Sequence, residues 1–290
     1  MTLLEKIAEH MMFGIYFDLT RYLTAAGVLF VLLLIFKRWA DNRRIQERRA
    51  SGKDYRRELL SSTRTVFFFA VTTISTLMLR EAGIIELKLE EFSTWLLALQ
   101  VAAMILAHDA YFYWLHRMMH HPKLFRSMHL HHHKSRTPTP WTAYSFSVWE
   151  AILEAAYVPL FLLATSLMGI AYAGMAVLFF IWIQIIRNVM QHAGVELHPA
   201  GWVDSKWTDW ISTTTHHDLH HSTGTSNFGF YFTFWDRLMG TEHPDYKAEF
   251  RKAAKPFVIT RRFAERTSVG LVTLLAVGTT LSGGALVLFA

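Results

Sequence analysis

Residues 94–133 read TWLLALQVAAMILAHDAYFYWLHRMMHHPKLFRSMHLHHH. The first half is almost purely apolar and the second half is aromatic and rich in histidine. His116 and His120 stand four residues apart, a spacing that puts both on one face of a helix. A helix that begins in hydrocarbon and ends in imidazoles would leave the bilayer and carry its histidines beyond it. This stretch sets the expected fold class: all-α, a multi-pass membrane helical bundle with a cytoplasmic, histidine-rich di-metal cap.

Three further pieces extend the pattern: His129-Leu-His-His132-His133, His192 in NVMQHAG, and His217-Asp-Leu-His220-His221. Fourteen of the sixteen histidines fall between His108 and His221. Read as helices, each cluster aligns its rings on a single stripe, so that His129, His132 and His133 point one way, as do His217, His220 and His221. Nine such rings exceed what one transition metal takes, and two metals fit the count. Imidazole suits zinc, copper, iron and nickel. The His-Glu-x-x-His motif of zinc hydrolases is absent, and a hydrolytic zinc site needs only about three protein ligands.

Outward from the boxes, apolar stretches cover about 19–36, 65–79, 151–167, 170–186 and 268–290. Stretches of this kind are candidate spans, the short one at 65–79 bracketed by Arg64 and Arg80, and Arg21 is expected to snorkel to an interface. Gly169 separates the fourth from the fifth, which suggests a helical hairpin. The TPTP segment at 137–140 reads as a turn. The expected organisation is residues 1–93 as N-terminal spans with a basic cytoplasmic loop, 94–250 as the catalytic segment, and 251–290 as an apolar tail with a possible extra span.

Composition agrees. Apolar residues make up 52% and charged residues 18%, with a mean hydropathy of +0.21 and a pI of about 9.5. Nine lysines and arginines cluster between Lys37 and Arg57, where the positive-inside rule places a cytoplasmic loop. That accounts for the +6 charge without nucleic acid. The absence of cysteine excludes disulfides and thiolate-bound zinc, iron–sulfur clusters and haem. The first twelve residues lack a positively charged start followed by an apolar core, so the first apolar segment is expected to remain in the mature protein.

The segments HDAYFYWLHRMMHHPKLFRSMHLHHH, QHAG, HHDLHHS and NFGFYFTFWDRLMGTEHP, spanning about 95–245, resemble the fatty acid hydroxylase/sterol desaturase superfamily. The resemblance implies two non-haem irons, O2 as co-substrate, and a lipid substrate from the bilayer such as a sterol, fatty acyl chain or carotenoid. It also implies electrons from a separate partner, a reductase with a ferredoxin or cytochrome b5-like carrier. It carries over His116, His120, His129, His132, His133, His192, His217, His220 and His221 as ligands, with no catalytic residue beyond them. Asn188 stands where some relatives carry a further histidine. Asn188, His108 and His216 are candidate extra ligands, and Asp109 and Asp218 candidate acceptors from a ligating imidazole. Asp236 is expected to pair with an arginine such as Arg117. Glu150 and Glu154 are expected to cap a helix start and pair with a basic residue. The competing class is a non-redox membrane zinc-binding protein, a transporter or sensor.

Overall fold

The computed structural model describes residues 2–88 and 93–256. Residues 257–290, and with them the apolar stretch expected at 268–290, lie outside the described residues. Five helices are long and apolar enough to cross a membrane: α1 (Leu3–Ile35), α3 (Gly52–Glu81), α4 (Thr94–Met119), α7 (Val148–Leu167) and α8 (Gly174–Gln191). Between and after them come α2 (Lys37–Asn42), α5 (Pro122–Met128), α6 (Leu130–His133), α9 (Thr214–Thr223), α10 (Phe234–Leu238) and α11 (Tyr246–Ala253). Two short strands, β1 (Leu87–Lys88) and β2 (Tyr172–Ala173), pair in parallel.

Two helices begin earlier than hydropathy suggests. α1 starts with a capping box in which Thr2 accepts from the Glu5 amide and Glu5 reaches back, and Ser51 and Asp54 do the same for α3. Much of the expected basic loop is therefore helical. Arg43 in it is not solvated: it is 3% exposed and donates to the carbonyls of Glu196, His198 and Lys255. Arg21 does not snorkel. It is 4% exposed, held by Asp18 at 2.5 Å, the Tyr144 hydroxyl at 2.7 Å and the Ile181 carbonyl at 3.0 Å. A buried partner set offsets the desolvation cost that snorkelling would otherwise relieve.

α1 and α3 cross closely because Gly14 faces Ala70: a Cβ on Gly14 would sit 3.0 Å from the Ala70 Cα. α3 packs on α7, and α8 on both α1 and α4. The expected hairpin exists, but residues 168–173 join its helices. Its β2 lies against β1, and the Gln100 side chain bonds both the Ala171 carbonyl and the Ala173 amide. This junction pins the end of the bundle away from the histidines.

Between the spans at the other end runs an irregular segment, Pro140–Phe146, largely buried. Its carbonyls need donors in a place without water, and the helices supply them. Tyr22 donates to Trp141, Asn188 to Ala143, Thr65 to Tyr144 and Arg64 to Phe146. The Tyr22 and Tyr144 rings stack at 4.7 Å beside Val66, Ile185 and Val189 in the core under the cap.

Candidate metal centre

α4 ends at Met119 with His120 as its cap, so His116 and His120 leave the bundle together. A proline at the start of α5 stops α4 from continuing. The chain turns at His129 (φ −133°, ψ −16°), and α6 is a single turn carrying His132 and His133. α8 delivers His192 at its end. α9 is capped by Thr213, which accepts from the His216 amide, and carries His217, His220 and His221.

All nine boxed histidines meet, in two groups. His116, His120, His129, His133 and His220 form one, and His132, His192, His217 and His221 the other, with the ligand atoms of each group within 4.8 Å of one another. The boxes therefore do not present one stripe each. The i, i+4 pairs His129/His133 and His217/His221 stay together, while the i+3 members, His132 and His220, cross to the opposite group. On a helix, i+3 and i+4 differ by about 100°, enough to aim neighbouring rings at two centres.

Nε2 atoms face inward. His116 and His129 approach to 3.0 Å, His133 and His220 to 3.0 Å, His132 and His192 to 3.2 Å, His192 and His217 to 3.0 Å, and His217 and His221 to 3.2 Å. Two nitrogens each about 2.1 Å from one ion stand about 3.0 Å apart at a right angle. His120 Nε2 is buried with no hydrogen-bond partner. These observations fit metal ions in both groups.

Several outward nitrogens are anchored, whereas Nδ1 of His129, His217 and His221 makes no hydrogen bond among the described residues. His116 Nδ1 donates to Phe228 at 2.9 Å, His192 to Asn188 at 2.8 Å and His220 to Ser226 at 2.7 Å, all backbone carbonyls. His132 Nδ1 lies 3.4 Å from the Ser145 carbonyl. Glu150 Oε1 lies 2.8 Å from His129 Nδ1. Such contacts fix tautomer and ring orientation.

Burial, then repulsion among neighbouring rings, holds the imidazoles neutral. His133 falls to about 3, and His129, His132, His217, His220 and His221 lie well below the usual value. In His192 burial alone leads, to about 4. Neutral rings offer lone pairs, the form a metal requires.

His108 and His216 stand outside both groups. Asn188 donates its amide nitrogen to the Ala143 carbonyl. His108 is enclosed by aromatic rings two turns below His116. His216 sits 3.5 Å from Asp236 and edge-on to Tyr246. Neither aspartate meets an imidazole. Asp109 accepts from the Tyr231 and Phe232 amides, and Asp218 accepts from Gln46, its pKa pushed by burial up to about 7. Asp236 does not pair with Arg117. It accepts from the Phe228 and Gly229 amides and from Thr241, closing the loop that aims the Phe228 carbonyl at His116, while Arg117 donates to Tyr113. Glu150 does cap α7 through a box with Ser147, and also supports His129. Glu154 does neither.

Two positioning residues escaped the sequence reading. Glu196 accepts from His198, from the Thr215 amide at 2.8 Å and from the Thr215 hydroxyl at 2.6 Å, fixing the first turn of α9. Burial works to raise its carboxyl, but these bonds and His198 hold it below the usual range. Glu58 accepts from Ser135 and Thr139 and ties the second box to α3. The only sequence signal for Glu196 was a carboxylate in a mainly apolar neighbourhood, and Glu58, in KDYRRELLSSTR, looked like one charge of the basic segment.

A lipid-facing bundle whose end gathers two imidazole groups defines a multi-pass membrane protein with a candidate two-metal centre. Residues 101–241, which contain all nine histidines, match the fatty acid hydroxylase family model. Among curated proteins, a Delta(7)-sterol 5(6)-desaturase of Gibberella zeae is 28% identical over 60% of this chain and 53% of its own length. Lathosterol oxidase of Rattus norvegicus is 26% identical over 65% and 61%. A Delta(7)-sterol 5(6)-desaturase of Aspergillus fumigatus is 28% identical over 78% and 62%. The chain thus spans between half and two thirds of the length of these relatives. No solved structure matches it significantly. The histidine-bearing segment, residues 101–241, thus resembles the fatty acid hydroxylase/sterol desaturase superfamily.

Proposed function

We propose that this protein is a membrane di-iron oxygenase that hydroxylates or desaturates a C–H bond of a lipid. The carrying observation is the pair of adjacent, buried, all-imidazole groups at one end of a lipid-facing bundle. Five donors in one group exceed the four positions of a structural zinc site, and imidazole suits iron. His116, His120, His129, His133 and His220 would hold one iron, and His132, His192, His217 and His221 the other. Bound there, iron supplies what aliphatic C–H bonds demand and acid–base side chains lack, reductive activation of O2. The chain orients the rings through the Phe228, Asn188 and Ser226 carbonyls and Glu150, keeps them neutral, and excludes water.

The names of the relatives favour a sterol-like substrate. Electrons come from a separate carrier, a ferredoxin or cytochrome b5-like protein with its reductase, since the sequence has neither a GxGxxG nor a CxxC cofactor motif. The basic segment 37–57 joins the cap through Arg43 and Gln46, which by the positive-inside rule favours the cytoplasmic side for the histidines.

The test is metal per chain after purification in mild detergent, beside His132→Ala and His220→Ala, followed by a lipid screen under O2. About two irons in the wild type, reduced in both variants, with an O2-dependent lipid product, is the expected result. Zinc alone, with no product once iron is supplied, would overturn it. In the same cysteine-free chain, Arg48→Cys should react with an impermeant maleimide from the cytoplasmic side only. Labelling from the opposite side would reject the assigned orientation.

A further inference from the structure

Among the spans lies a mainly apolar cavity of about 470 Å³, lined by residues of α1, α3, α7 and α8 and by His108 of α4. A volume of this order suits a lipid-sized ligand. None of the nine boxed histidines lines it. Its upper end lies close to them: Glu154, in its wall, is one turn along α7 from Glu150, which touches His129.

Two buried polar groups in this wall lack hydrogen-bond partners among the described residues. Glu154 is buried, and no described residue hydrogen-bonds or ion-pairs with its carboxyl. Neighbouring buried carboxylates are all satisfied: Asp18 by Arg21, Asp109 by two amides, Glu58 by two hydroxyls. His108 is 2% exposed and packed edge-on by Tyr157, Phe180, Phe230 and Tyr231 at 4.7–5.6 Å. Neither of its ring nitrogens has a hydrogen-bond partner among the described residues. Buried polar groups are normally paired, and leaving them unpaired is unfavourable. The cavity's occupant is the remaining source of partners.

We propose that Glu154 and His108 form the recognition site for the hydroxyl group of a lipid alcohol held in this cavity. The assignment rests on reading the protein as a lipid-handling enzyme. A hydroxyl both donates and accepts, so one group can answer a carboxyl and an imidazole together. A carboxylate head beside Glu154 would bury a charge where no ion-pair partner stands, which is unfavourable in a low-dielectric wall. Turned around, a fatty acid would set its head against Arg80 and Lys88, which also line the cavity, but would leave Glu154 and His108 facing its tail. The hydroxyl pose offers a partner to Glu154 and His108 and sets the carbons nearest the hydroxyl toward the histidine end.

Direct binding to the full-length protein in detergent, without reductant, tests this with cholesterol, cholesteryl methyl ether, hexadecanol, its methyl ether and palmitate. In the wild type at least one alcohol should bind ~10-fold or more tightly than its ether. The cholesterol and hexadecanol arms distinguish a ring system from a chain. Glu154→Leu and His108→Leu should each shrink the alcohol-to-ether ratio to within about 2-fold while keeping ether binding, and Glu154→Gln should retain part of it. Equal binding of both alcohols and their ethers by the wild type overturns the proposal, as does palmitate outcompeting both alcohols. Undiminished discrimination in both leucine variants also overturns it. Metal content equal to wild type certifies that a variant is folded. If one is not, the wild-type comparison alone decides. Intact discrimination without any O2-dependent product keeps this site and rejects the oxygenase reading.

Discussion

Glu150 shows how one side chain serves two levels. It closes the Ser147 capping box that starts α7 and lies 2.8 Å from His129. Supporting carboxylates raise the basicity of a ligating imidazole, and their loss commonly lowers metal affinity ~10–100-fold. Glu150→Gln preserves shape and the cap, so it should weaken metal retention by that order without unfolding the protein. Chelator competition at fixed pH reads it, and an unchanged retention curve would show that the contact is structural only. The capping role was legible from Ser-x-x-Glu. The contact with His129 was not, because it joins two segments with a turn and an irregular loop between them.

At the level of elements, α6 and α9 divide their rings between two centres. This separates His132 from His133 although they are neighbours in sequence. His133→Ala removes a donor from the group built on α4, and His132→Ala one from the group built on α8. Each variant should drop metal content from about two toward about one per chain, and the two should differ in which site's spectroscopic signature survives. Identical spectra from both would reject the two-group assignment. The sequence identified the nine rings, since chance does not stack three i, i+3/i+4 patterns. It did not partition them, because α6 is one turn preceded by a non-helical His129, and partition depends on where α4 and α8 end relative to it.

For the whole molecule, the buried histidines tie stability to pH. Outside the spans, His120, His129, His132, His133, His192, His217, His220 and His221 all have pKa values lowered by burial. Unfolded, they titrate near 6.5. The unfolded chain therefore binds more protons below that value. Their contribution is fully present above about pH 6.5 and is lost as pH falls toward the folded values, about 4 for His192 and about 3 for His133. Asp218, raised to about 7, and Asp236, also raised by burial, act with the opposite sign, but they are two groups against eight. Metal-stripped protein should melt at its highest temperature above pH 7 and lose stability steeply between about pH 6 and 4. A melting temperature that rises on acidification would contradict the buried, neutral cluster.

The sequence by itself determined the class: apolar runs of bilayer length, a basic segment between the first two, and nine histidines at ligand spacing. Those are local properties, set by hydropathy and helix periodicity, and they survive any arrangement of the segments. Only the tertiary structure decided which imidazoles share a centre, that Arg21 and Arg43 are internal, that Glu196 fixes the first turn of α9, and that Glu154 and His108 face an apolar cavity unpartnered. Each of these depends on atoms brought together from distant parts of the chain. The partner that satisfies a buried charge is chosen by packing, and no spacing rule along a single chain encodes it.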